Sequence, residues 1–163
     1  MIVLPGRQLM PVIRAGLERG QSVRLTTNGS SMLPFIHDGE TVELVPPRSS
    51  IMQGDIVLAQ SDEDRYVLHR IVQVETDVVY LRGDAQKHRE GPLPRQAVLG
   101  LAVTATRNGR VRVLDRGFLH WAGLVWMRSG WFGYYLLQLA LRLRRVAGAI
   151  YRRLFSSKKS RPC

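Results

Sequence analysis

A serine-rich segment, Gly29–Pro34 with the sequence GSSMLP, contains the first residues whose types and spacing could do covalent chemistry. A nucleophilic serine needs an exposed hydroxyl beside backbone N–H groups that can stabilise an oxyanion. A tight glycine turn at the end of a strand supplies both, and Pro34 keeps the segment from continuing as a strand or a regular helix. Taken alone, a segment of this composition is most often an ordinary turn.

His69 is the candidate base, and it lies in the predicted strand segment YVLHRIV. Alternation places His69 on the same strand face as Val67 and Ile71. A neutral imidazole, with an ordinary pKa of about 6.5, can accept a serine proton. The alternative interpretation is a partly buried strand histidine with one hydrogen bond, and His69 considered by itself favours that alternative.

Two carboxylates follow, Asp84 in a Gly-Asp pair and Glu90 six residues later. A serine–histidine pair needs a carboxylate that fixes the imidazole tautomer and stabilises the imidazolium. Asp84 or Glu90 can fill that role. The alternative is that Gly83-Asp84 is turn chemistry and that Glu90 is a solvated loop charge.

Lysine usage decides between two possible bases. The only lysine between Met1 and Ser157 is Lys87, which lies in a polar segment beside Gln86, His88 and Arg89. A Ser–Lys dyad needs a lysine that is desolvated enough to be neutral near pH 7. The sequence therefore favours His69 over Lys87 as the base for Ser31.

The elements that must position these residues are mostly short strands. Residues Gln8–Arg19 have apolar residues at helical spacing and are followed by Gly20, which predicts an N-terminal helix. The period then changes to two, and a polar loop is expected over Gly83–Arg95. Asn108-Gly109 is a strong hairpin signal. The predicted strands lie at 23–25, 42–44, 56–59, 66–74, 78–82, 98–106 and 111–114.

This pattern predicts a mostly β fold, an antiparallel β core of Greek-key or barrel type with a short N-terminal helix and a helical C-terminal tail. We expect three parts: an N-terminal helical segment (1–20), the β domain (21–115) and a basic amphipathic tail (116–163).

Charge separates the β domain from the tail. The chain carries 24 basic and 13 acidic residues, and no acidic residue follows Asp115. The β domain is therefore nearly neutral, and we expect no nucleic-acid partner for it.

The tail is the part of the chain that we expect to meet a membrane or a partner protein. In residues 131–155 an apolar stripe is opposed by Arg142, Arg145, Arg152 and Arg153. This pattern predicts a helix lying on an anionic membrane surface. A helix packed on protein is one alternative. A spanning helix over 118–141 is another, and Arg128 near the middle of that segment argues against it.

Cysteine content and the N-terminal sequence argue against several classes of protein. The single cysteine, Cys163, excludes a disulfide framework and a thiolate zinc cluster in the β domain, and no metal or organic cofactor is expected. The apolar run Met1–Leu4 ends at Pro5, so we expect no cleavable signal peptide. The expected location is the cytoplasm or the membrane periphery, on a side that the sequence leaves open.

Several of these segments, in this order, resemble motifs of the signal peptidase I superfamily, which includes the autocleaving LexA-like repressor proteases. The segment GSSMLP resembles the Ser-Met-x-Pro nucleophile motif, and GDIV at 54–57 resembles the Gly-Asp-(Ile/Val)-Val strand. The segment VLHRIV resembles the base strand in its histidine form. Gly83-Asp84 and the VLG segment at 98–100 resemble the motifs that follow.

The resemblance implies roles for individual residues. It makes Ser31 the nucleophile and His69 the general base, with Glu90 orienting His69 and Asp84 supporting the site. Position 29 is glycine where many signal peptidases have a second oxyanion-donating serine, so the oxyanion donors would be the Ser31 N–H or Ser30. The chain is similar to the small bacterial proteins, without an N-terminal anchor, called S24/S26 family peptidases.

The resulting hypothesis is a serine endopeptidase that cleaves a peptide or protein substrate with a Ser31–His69–acid site. One alternative is a catalytically degenerate core that serves as a binding module. The other is a LexA-like self-cleaving regulator, which would need a Ser–Lys dyad and usually a separate DNA-binding domain.

Overall fold

A computed structural model describes residues 6–62 and 65–129 of the chain, together with Tyr135 and Leu139. Two helices and eight strands account for most of this part of the chain. The helices are α1 (Gly6–Glu18) and α2 (Gly117–Arg128). The strands are β1 (Val23–Thr26), β2 (Thr41–Val45), β3 (Ile56–Asp62), β4 (Arg65–Val74), β5 (Val78–Arg82), β6 (Glu90–Pro94), β7 (Val98–Arg107) and β8 (Arg110–Val113).

The strands form one curled antiparallel sheet in the order β1-β2-β7-β3-β4-β5-β6. The long strand β7 pairs with β3 through its first half, and its residues 104–107 pair with β8. The turn between β7 and β8 contains Asn108 and Gly109, both with positive φ, as the hairpin signal predicted. The predicted mostly β fold with a short N-terminal helix and a C-terminal helix is confirmed.

Both faces of the central strands are buried, which explains their continuous apolar character. On β3, Ile56 and Leu58 belong to one hydrophobic cluster, and Val57 and Ala59 belong to another. The first cluster also contains Ile13 of α1, so the N-terminal helix packs against the sheet. Burial on two sides holds β3 and β4 rigidly in the middle of the molecule, and β4 carries His69.

The polar loop expected over residues 83–95 is only partly a loop, and this expectation was wrong for Glu90–Pro94. These residues form β6, an edge strand in which Leu93 pairs with Val79 and Glu90 pairs with Leu81. This strand was not predicted from the sequence because it contains two prolines, which have low strand propensity. They are tolerated because an edge strand pairs with a neighbour on one side only.

The tail is described only in part. Helix α2 ends at Arg128. The amphipathic helix predicted for 131–155 lies almost wholly outside the described residues, and the three-part division of the chain stays a prediction. In the part of the chain that is described, neither helix is long and apolar enough to cross a membrane.

Candidate active site

The serine turn is fixed by its glycine and by two buried side chains. Gly29 has a φ of +101°, a conformation that glycine adopts at low cost, and its N–H donates to Asp38 Oδ1 over 2.7 Å. After the serines, Met32 and Ile36 are buried in the first hydrophobic cluster. This anchoring leaves Ser30 exposed and Ser31 half-buried.

The loop after β5 holds Ser31 from the opposite side. The Ala85 N–H donates to the Ser31 carbonyl oxygen over 2.8 Å. A Cβ at Gly83 would lie 2.7 Å from the same oxygen, so this position has room only for glycine. The Gly-Asp motif therefore fixes the backbone of the candidate nucleophile.

Asp84 forms a buried ion pair with Arg70. Arg70 Nε and Nη2 donate to the two Asp84 oxygens over 2.8 and 2.7 Å, and Arg70 Nη1 donates to the Gly54 carbonyl over 2.9 Å. Burial raises the pKa of Asp84, and the hydrogen bonds and charge of Arg70 oppose that rise. The pair joins the loop under Ser31 to the centre of the sheet.

His69 lies at the centre of β4, where it pairs with Val57 of β3. Its side chain is 4% exposed, and its Nδ1 is buried without a hydrogen-bond partner. Glu90 Oε1 is the nearby carboxylate atom, 3.8 Å from Nδ1. Burial lowers the pKa of His69, Glu90 raises it and Arg65 lowers it, with a net fall below the ordinary value.

Glu90 is engaged elsewhere through both carboxylate oxygens. Arg65 Nη2 donates to Oε1 over 2.7 Å, and Ser61 Oγ donates to Oε2 over 3.2 Å. A separation of 3.8 Å between Oε1 and His69 Nδ1 is too long for a hydrogen bond. Of the two candidate acids, the structure thus places Glu90 beside the imidazole and Asp84 beside Arg70.

Ser31 and His69 line one cavity of about 770 Å³. Its walls are mostly apolar, with Leu25 from β1, Leu58 from β3 and Leu68 from β4. Helix α1 contributes Leu9 and Met10, and two arginines contribute the charge, Arg24 and Arg65. A serine hydroxyl and an imidazole at one cavity, with a carboxylate oxygen 3.8 Å from the imidazole Nδ1, are types of group that acyl-transfer sites use.

Three residues that contact the candidate site residues were not predicted from the sequence: Arg70, Arg65 and Ser61. A signal for Arg65 was present, because alternation along β4 puts residues 65, 67 and 69 on one face. Arg70 follows His69 directly and is 1% exposed, and a buried guanidinium demands a carboxylate partner. Among the described residues, no group of three or more histidine, cysteine or acidic side chains could hold a metal ion.

The described fold is a curled, mostly antiparallel β sheet with an N-terminal and a C-terminal helix. The family model described as Peptidase S24-like matches residues 6–103. The chain therefore belongs to the Peptidase S24-like family, and the matched range contains every residue discussed above as part of the site. No curated protein matches the chain.

Proposed function

We propose that this protein is a serine endopeptidase with the histidine-type mechanism of the signal peptidase I superfamily. The observation that carries the proposal is that Ser31 and His69 line the same cavity, with Glu90 Oε1 3.8 Å from His69 Nδ1. Family membership supports peptidase chemistry, and the absence of lysine from the lining residues described supports histidine as the base.

The proposed reaction proceeds in two halves. Ser31 Oγ attacks the scissile carbonyl carbon while His69 Nε2 accepts the hydroxyl proton and then passes it to the leaving amine. The developing oxyanion takes a hydrogen bond from the Ser31 N–H or from Ser30. A water molecule then gives a proton to His69 while its oxygen attacks the acyl carbon, and His69 returns that proton to Ser31 Oγ as the ester bond breaks. Glu90 stabilises the imidazolium in both halves.

A fluorophosphonate probe, which phosphonylates an activated serine, tests the proposal. We expect the protein to be labelled at Ser31, and we expect Ser31→Ala and His69→Ala to reduce the labelling rate by at least about 10³-fold. Ser50→Ala is the matched control, because Ser50 is exposed and lies outside the cavity. If His69→Ala keeps more than about a tenth of the rate, His69 is not the base.

A catalytically degenerate binding module is the second candidate, and the gap between Glu90 and His69 is the observation that favours it. The same probe separates the two functions. Folded protein that fails to label at Ser31, and that still binds peptides in the cavity, would establish the binding module. Labelling at Ser31 would exclude it.

A further inference from the structure

Arg65 and His69 compete for one oxygen atom of Glu90. The Arg65 guanidinium holds Oε1 at 2.7 Å, while His69 Nδ1 stands 3.8 Å from the same atom without a partner. Ser61 occupies the other oxygen, Oε2. In the free protein the carboxylate is therefore fully engaged by groups other than the histidine.

Arg65 can readily exchange its ion pair with Glu90 for another acceptor. Its side chain is 59% exposed, it lies at the first position of β4, and it lines the same cavity as Ser31 and His69. An exposed arginine exchanges one oxygen acceptor for another at little cost. A carbonyl or carboxylate oxygen of a peptide in the cavity is such an acceptor. Glu90 Oε1 then needs to move only about 1 Å to reach hydrogen-bond distance from His69 Nδ1.

Building on the proposed peptidase function, we propose that Arg65 is a positioning residue that withholds Glu90 from His69 until a bound peptide draws Arg65 away. The free protein is then an incompletely assembled enzyme, and the substrate completes it. This differs from a fixed triad, in which the carboxylate contacts the histidine before the substrate arrives.

The charges around His69 make the proposal measurable. Glu90 on β6 raises the pKa of His69, and Arg65 on β4 lowers it, while the flanking strand β3 presents the uncharged Val57 and Ser61. Transfer of Glu90 to His69 therefore raises the pKa of His69. The base must be neutral to accept a proton. A higher pKa of His69 therefore moves the midpoint of the acidic limb of the activity–pH profile to higher pH.

An NMR titration of His69 tests the first half of the proposal without any substrate. We expect Arg65→Gln to raise the pKa of His69 through two effects, the loss of a positive charge and the release of Glu90. Only the second effect needs the carboxylate, so the rise should be larger in the natural background than in a Glu90→Gln background. Arg24→Gln is the matched control, since Arg24 lines the cavity and has no contact with Glu90, and it should leave the titration unchanged. Equal rises in the two backgrounds would overturn the proposal.

Two pH profiles test the second half. The limb of kcat/KM reports the free enzyme, and the limb of kcat reports the complex with substrate. In the natural protein the kcat limb should lie at higher pH than the kcat/KM limb. In Arg65→Gln the two limbs should coincide, and in Arg24→Gln they should stay apart. Limbs that coincide in the natural protein, or that stay apart in Arg65→Gln, would contradict substrate-driven assembly.

Failure of this inference and failure of the proposed function give different results. Ser31-dependent labelling with equal rises in the two NMR backgrounds retains the peptidase and removes the role of Arg65. A larger rise in the natural background without any Ser31 labelling keeps the Arg65–Glu90–His69 coupling and removes the peptidase.

Discussion

At the scale of single residues, the environment of His69 sets the pH at which the site can work. Burial is the dominant influence and lowers the pKa of His69 below its ordinary value of about 6.5, although Glu90 opposes this shift. A base with a lowered pKa is already neutral at pH 7. The histidine is therefore ready to accept a proton across the neutral range.

This pKa predicts the pH dependence of serine reactivity. The rate of fluorophosphonate labelling should rise along a limb whose midpoint lies below about pH 6.5, and it should be flat at neutral pH. The measurement is the labelling rate between pH 4.5 and 9, a range chosen to bracket the limb. A midpoint near pH 9 that moves when Lys87 is replaced by methionine would instead identify a Ser–Lys mechanism.

Asp84 predicts a loss of stability, since its carboxylate neutralises a buried guanidinium. Asp84→Ala leaves Arg70 charged and without its partner, and breaking a buried pair costs about 3–5 kcal/mol. Urea unfolding followed by circular dichroism measures the change, with Asp77→Ala, an exposed acid near β5, as the control. A loss below about 1 kcal/mol would mean that Arg70 finds another acceptor.

At the scale of elements, helix α2 is joined to the site through Arg70. Gly123 faces the guanidinium so closely that a Cβ would lie 2.6 Å from Arg70 Cζ. Arg70 Cζ lies 4.9 Å from the centroid of the Phe35 ring. The same ring packs edge to face against Trp126 of α2, with the ring centroids 6.2 Å apart. The helix therefore closes over the buried ion pair.

Gly123→Ala tests this packing. In an isolated helix the change stabilises by about 1 kcal/mol. Here we expect a net loss of about 1–3 kcal/mol, because the methyl group overlaps the guanidinium and displaces either α2 or Arg70. Val125→Ala on the exposed side of α2 should change the free energy of unfolding by less than about 0.5 kcal/mol. A stabilised Gly123→Ala protein would show that α2 is not held against Arg70.

Elements that local sequence specifies could be predicted, whereas elements that depend on pairing with distant residues could not. The strands with period two and the Asn108-Gly109 turn were readable, because local sequence decides alternation and turn type. The strand β6 was not, since its pairing with β5 overrides the poor strand propensity of Pro92 and Pro94.

The candidate site was likewise predictable only in part from the sequence. Ser31, His69 and Glu90 were proposed from residue type and order. In the structure Ser31 and His69 line one cavity, and Glu90 Oε1 lies 3.8 Å from His69 Nδ1. The ion pairs of Arg70 and Arg65 were missed, because they join residues 14 and 25 positions apart along the chain. No local pattern specifies which carboxylate an arginine reaches across a curled sheet.

At the scale of the whole molecule, positive charge is concentrated beyond the β domain. No acidic residue follows Asp115, and α2 exposes Phe118, Trp121 and Val125 at helical spacing. Aromatic and apolar side chains beside arginines are typical of the membrane–water interface.

We predict that the full chain floats with anionic vesicles and that raising the salt concentration weakens the binding, since exposed charges are screened. Replacing Arg142, Arg145, Arg152 and Arg153 together by glutamine should abolish most of the binding. A flotation assay with phosphatidylserine and phosphatidylcholine vesicles measures it. Salt-insensitive retention would indicate insertion into the bilayer, and absence of binding would indicate a tail that packs on protein.

One short loop links the C-terminal helix to the candidate nucleophile through two hydrogen bonds. Trp126 Nε1 donates to the Asp84 carbonyl over 2.8 Å, and the next residue, Ala85, donates its N–H to the Ser31 carbonyl over 2.8 Å. Detachment of α2 would loosen this loop without unfolding the sheet. The exchange of the Ala85 amide proton with deuterated solvent is then governed by local opening of α2. The exchange rate of this one proton, next to the candidate nucleophile, therefore measures how tightly α2 packs against the domain.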